Sequence, residues 1–207
     1  MWYFAYGHDM NWRSLAEWSD RYSLRPPLFR SQGQAAVLQH YRLAFPRFDE
    51  YWGGGVADII DEPGKSVFGA LIHISVPTFK LLERMHDRRV DGRGSEIGQS
   101  KLIDVAVSPY RGGERIAAVA MQGTGIERGT VPPTRQYVSR MVESALELDL
   151  SALWVMQLQS FVSWNESAIE EIASNLEPAT RLLKQARREP VLVPALPLRS
   201  TSERVAI

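Results

Sequence analysis

The chain has 207 residues, enough for one large domain with a substantial buried core, and its 24 basic side chains cancel 24 acidic ones. A zero net charge leaves no global field to draw nucleic acid or an anionic membrane, and the arginine-rich stretches DRRVDGRG and KQARRE interleave acids and lack aromatic stacking partners. Cysteine is absent, which excludes disulfides, thiolate nucleophiles and thiolate-bound metals. The histidines at 8, 40, 73 and 86 show no HxH or HExxH pairing, so neither a metal nor another cofactor is expected.

The chain opens on WYFAYG, an aromatic run stopped by glycine, which reads as a buried strand and a tight turn leading into His8 and Asp9. NWRSLAEWSDRYSL places Leu15, Trp18 and Tyr22 at helical spacing, with Asp9 a possible cap and Pro26-Pro27 a stop. QAAVLQHYRLAFPRF is strand material. WGGGVADIIDEPG reads as three glycines feeding a short strand and a Pro-Gly turn, and SVFGALIHIS is the strongest strand of the chain. PTFKLLERMHDRR is a helix with Pro77 in its first turn and Phe79, Leu82 and Met85 along one face. VDGRGSEIG is a loop, and KLIDVAV and ERIAAVAMQ form two strands around an Arg-Gly-Gly turn.

From about Pro132 the pattern turns helical, through PTRQYVSRMVESALELDL, LWVMQLQSF with Trp154 and Met156 in the core, and NESAIEEIASNLEPATRLLKQARRE. The closing PVLVPALPLRSTSERVAI is an extended arm or disordered. Short strands first and helices last give an α+β fold with a mostly antiparallel or mixed sheet. The expected division is a core over 1–130, helices packed on it over 131–188 and a tail over 189–207. No apolar run approaches a membrane span and no basic leader with a cleavage site opens the chain, so a soluble, cytoplasmic protein is the expectation.

YFAYG, YRLAF, GGGVADI followed by FGALIHIS, and the late PPTRQYV together resemble the γ-glutamylcyclotransferase-like family, over residues 2 to about 155. The resemblance implies a small mixed β-barrel with peripheral helices and, here, a helical C-terminal extension. It also implies an activity: the α-amine of a γ-glutamyl amide attacks the γ-carbonyl, closes a lactam and expels an amine as 5-oxoproline forms. Such an enzyme holds the substrate and supplies one carboxylate as general acid/base. Its partner is a small γ-glutamyl or related amide, its assembly a monomer or homodimer.

By the same resemblance the substrate lies against the turn after the first strand, formed here by Tyr6, Gly7, His8, Asp9 and Met10, with Tyr137 reaching in from the late helix. The family's Ser-Asn after Tyr-Gly is His8-Asp9 in this chain. Its Leu-Asp-x-x-Glu-Gly helix end, read without a gap from Met85, meets Arg89 where the glutamate belongs; a longer loop brings Asp91-Gly92 into the Glu-Gly place, and Glu96 is a second candidate for the carboxylate. The triple glycine 53–55 reads as a bulge or barrel corner rather than a phosphate cradle. Two alternatives stay open: non-cyclising chemistry on another small amide, and a non-catalytic binding module that has lost the glutamate.

Overall fold

A computed structural model describes residues 1–22, 33–90, 96–124 and 130–162, with the side chains of 88–90 and 96–98 outside the description. The Pro26-Pro27 stop, Asp91, the helices expected beyond 162 and the tail therefore lie outside the described residues. Strand β1 (Trp2–Ala5) runs into a single 3₁₀ turn, His8–Met10, and helix α1 (Trp12–Arg21). β2 (Gln34–Asp49) and β3 (Gly54–His73) follow, then α2 (Val76–Met85), the short β4 (Arg88–Val90) and β5 (Glu96–Gly98), β6 (Ser100–Pro109), β7 (Ile116–Gly123) and α3 (Arg135–Glu147). The chain is helical again over 152–162. Among the described residues no helix is long and apolar enough to cross a membrane.

Five strands close a barrel in the order β1-β3-β2-β6-β7. Every neighbouring pair is antiparallel except the seam, where Tyr3 of β1 meets Val119 of β7 in parallel. The α+β class and the mixed barrel are thus as expected from sequence. One reading changes: the Pro-Gly turn does not separate two strands. Tyr41 pairs with Asp61 and Gln39 with Ser66, so Glu62-Pro63-Gly64-Lys65 is looped out of one long, bent β3, opposite a β2 residue, His40, whose φ is 69°. The proline, which cannot donate to a ladder, sits where no donor is needed. Likewise the residues beyond α2 do not continue the helix, because Arg88–Val90 pairs with Glu96–Gly98 as a two-stranded ribbon.

The core is aromatic and aliphatic, with Tyr3, Phe4, Phe45, Leu38, Ile59, Leu71, Met121 and Leu158 fully buried. Each such side chain contributes roughly 1.5–3 kcal/mol of transfer free energy. Leu15 anchors α1, whereas Tyr22 at its end is exposed. Trp154 is buried as expected, but Met156 is 64% exposed and does not belong to the core: two residues along a helix turn a side chain through about 200°, to the opposite face.

The glycines at the tip of the β2–β3 hairpin position the later part of the chain. A Cβ on Gly55 would lie 2.0 Å from the Val131 carbonyl oxygen, so only glycine admits the segment 131–134 across the hairpin. That segment is held by Val131 N–H donating to the Phe45 carbonyl (2.8 Å) and Gly55 N–H donating to the Pro132 carbonyl (2.9 Å). Thr134 then caps α3, accepting from the Tyr137 N–H at 3.2 Å. Tyr137 consequently lies in the first turn of a helix whose start is pinned to the hairpin.

Candidate active site

The turn after β1 is closed by its own aspartate. The Gly7 N–H donates to Asp9 Oδ1 at 3.1 Å, and the Tyr3 hydroxyl donates to Asp9 Oδ2 at 2.6 Å. His86, the residue that ends α2, places Nε2 at 3.3 Å from the same Oδ2 and 3.4 Å from the Tyr3 hydroxyl. Asp9 does not cap α1; Asn11 does, accepting from the Arg13 N–H at 2.9 Å. The carboxylate is instead the hub of a buried Tyr-Asp-His cluster. Burial alone would raise its pKa, but the hydrogen bond and charge of His86, the charge of His8 and the Tyr3 hydroxyl outweigh it and hold Asp9 at about 2.

His8 is buried beside this cluster. Its ring meets Trp52 edge-on at 4.9 Å and Tyr137 at 5.3 Å between centroids, with Nδ1 3.5 Å from the Tyr137 hydroxyl. Burial lowers the imidazole to about 4, against an opposing pull from Asp9, so His8 is neutral at physiological pH. The Tyr137 oxygen accepts from the Ala57 N–H at 2.9 Å. Its pKa is raised by burial despite the backbone N–H groups of Ala57 and His8, which favour the phenolate. Tyr137 is therefore not only a packing residue: it ties the turn, β3 and α3 together at one oxygen.

His8 and Tyr137 line a small cavity together with Arg47 and Asp49 of β2, Tyr51 and Trp52 of the hairpin tip, and His86. Its free space is about 30 Å³, room for a water or two. Arg47 donates through Nη1 to the Gln99 carbonyl (2.6 Å) and Ser100 Oγ (3.3 Å), while its buried Nε has no partner among the described residues. Nε2 of His8 is likewise buried and unpartnered. Asp49 Oδ1 accepts from the Trp52 N–H at 3.1 Å and so fixes the hairpin tip.

Of the residues singled out from sequence, the structure brings His8 and Tyr137 to the cavity and sets Gly7 and Asp9 behind it. Tyr6 and Met10 are buried elsewhere, the Tyr6 hydroxyl donating to the Met121 carbonyl inside the barrel. Asp91 and the Glu96 side chain lie outside the described residues. Arg47, Trp52 and His86 were not anticipated. Trp52 carried a signal in standing directly before the three glycines. His86 carried one in the helix-end pattern, which fits one turn earlier than Met85: in Leu82-Glu83-Arg84-Met85-His86-Asp87 the helix does end at Met85, and Asp87, at φ 49°, adopts the left-handed conformation expected of the glycine. His86 then falls in the glutamate's position.

No protein-family model matches the chain. It is 30% identical to γ-glutamylcyclotransferase from Bos taurus over 164 residues, which are 76% of this chain and 77% of the relative. Among solved structures, one described as a γ-glutamyl cyclotransferase superposes with a TM-score of 0.58 at 24% identity, covering 77% of this chain and 86% of that one. YkqA from Bacillus subtilis superposes with a TM-score of 0.60 at 22% identity, over 79% of this chain and 54% of its own. These two share the barrel described above, and the identity to the bovine protein over three quarters of both chains goes further: the chain belongs to the γ-glutamylcyclotransferase family.

Proposed function

We propose that the protein is an enzyme that cyclises a γ-glutamyl amide, the α-amine attacking the γ-carbonyl so that 5-oxoproline and a free amine result. The observation that supports this most directly is that two buried polar atoms without partners, His8 Nε2 and Arg47 Nε, belong to side chains lining one cavity. A buried unpaired donor costs about 1–3 kcal/mol, and a ligand that satisfies it recovers that cost. Arg47 offers a guanidinium to the substrate α-carboxylate. His8, neutral, offers a single N–H or lone pair to the γ-amide. The reaction needs no covalent intermediate and no added reactant; it needs the carboxylate held while amine and carbonyl are brought within attack distance. A glutamyl group exceeds the free space present, so its binding requires lining side chains to move, and Trp18, Tyr51 and Met85 are among the half-buried ones. The reaction also needs one group to transfer a proton, for which the sequence offers the carboxylates of Asp91 and Glu96 as candidates.

One feature favours a second reading, chemistry on another small amide: in the turn against which the family resemblance places the substrate, the Gly7 N–H is taken by Asp9. Incubation with a panel of γ-glutamyl amides and of unrelated small amides, read by mass spectrometry, separates the two. Release of 5-oxoproline supports cyclisation; cleavage of other amides without it supports the second reading and removes the first.

A further inference from the structure

The cavity that would take the substrate borders a proton-transfer device complete within the described residues. Three groups converge on the Asp9 carboxylate: the Tyr3 hydroxyl at 2.6 Å and the His86 Nε2 at 3.3 Å bond to Oδ2, and the Gly7 N–H donates to Oδ1 at 3.1 Å. The carboxylate is almost fully buried, while the His86 side chain keeps 13% of its surface open and lines the cavity. An ionised carboxylate can only accept, so in the neutral imidazole this contact favours the tautomer in which Nε2 carries the proton toward Asp9 and Nδ1 keeps its lone pair. An acid-base side chain is thus set with one face against a buried anion and another toward the cavity.

We propose that His86, positioned by Asp9, is the catalytic acid-base residue of the cyclisation, an inference that rests on the function proposed above. Its imidazole takes the proton lost by the α-amine as that nitrogen bonds to the γ-carbon. The resulting imidazolium is stabilised by the Asp9 carboxylate. As the γ-carbon to amide-nitrogen bond breaks, the imidazolium returns the proton to the departing nitrogen. One proton is borrowed and returned, and the sum is γ-glutamyl amide to 5-oxoproline plus amine. The other groups at the cavity serve less well. Asp49 is held in the hairpin tip by the Trp52 N–H, and burial makes His8 a weak proton acceptor.

The test is the steady-state kinetics of His86→Ala and Asp9→Asn on whichever γ-glutamyl amide the wild type turns over fastest, with calorimetric binding of 5-oxoproline as the check that each variant retains its site. His86→Ala is expected to lose about 10²-fold or more in kcat with KM changed far less, and added imidazole should restore part of it, which a merely structural loss would not permit. Asp9→Asn keeps the shape but not the charge, no longer favours the productive tautomer, and should lose about 10²-fold or more in kcat. Full turnover by His86→Ala, or a loss that imidazole does not repair in a variant that still binds 5-oxoproline, overturns the assignment while leaving cyclisation intact. A wild type that cyclises nothing overturns the proposed function instead, and this inference with it.

Discussion

Acidification should destabilise the protein through His8, and the size of the effect follows from its burial. The imidazole is lowered to about 4 from an ordinary 6.5, chiefly because charging it would strand a cation away from water. Between those values the unfolded chain binds a proton that the folded chain refuses, so stability falls as the pH drops from about 6.5 through about 4 and is fully restored above that window. At about 1.4 kcal/mol per unit the whole window is worth roughly 3 kcal/mol. Asp9 works in a lower range and with the same direction: held at about 2 against 3.8, it stabilises the fold above the upper value and loses that contribution only as the pH falls toward the lower. The assay is urea unfolding of wild type and His8→Gln at about pH 8 and about pH 4.5, conditions under which Asp9 stays ionised in the folded state. Wild type should lose roughly 2 kcal/mol more than His8→Gln between the two conditions. Equal losses in the two proteins would refute the claim that the imidazole is held neutral by burial.

Three substitutions probe the site and its scaffold. Arg47→Gln removes the cation proposed to hold the α-carboxylate and should raise KM for the γ-glutamyl substrate about tenfold or more with a smaller change in kcat, read from initial rates. Gly55→Ala would push a methyl to 2.0 Å from the Val131 carbonyl oxygen. It should cost roughly 1–3 kcal/mol in denaturant unfolding and weaken ligand binding as well, because Tyr137 is delivered by that crossing. Gly7→Val would bring a branched side chain against the Tyr137 hydroxyl, 3.0 Å from the Cβ position, and Asp9 Oδ1 at 3.3 Å. It should abolish 5-oxoproline binding in calorimetry while far-UV circular dichroism stays native.

The barrel was legible because its strands carry period-two or continuous apolar runs and its hairpin turns carry paired glycines. The same local reasoning misjudged Pro63-Gly64, since a turn dipeptide and a bulge look alike until the pairing of Tyr41 with Asp61 and of Gln39 with Ser66 is known. At the site, Gly7, His8 and Asp9 stood out as a break in an aromatic strand. Arg47 and His86 did not, because nothing local distinguishes a side chain facing a cavity from one on an ordinary surface; their meeting is a product of barrel closure and of α2 ending beside the first turn. The role of Asp9 was hidden for a related reason. An aspartate before a helix reads as a cap, and only the neighbouring Asn11, which performs that task, frees it to bind Tyr3 and His86.

The proposed function places a γ-glutamyl group in the cavity between the first turn and Tyr137. A crystal structure with the product 5-oxoproline bound measures this directly. Density is expected in the cavity lined by His8, Arg47 and His86, with the product carboxylate on the Arg47 guanidinium and the lactam within hydrogen-bond reach of His8 Nε2. Product density at any other place on the barrel, with Arg47 Nε and His8 Nε2 still unpartnered, would contradict it.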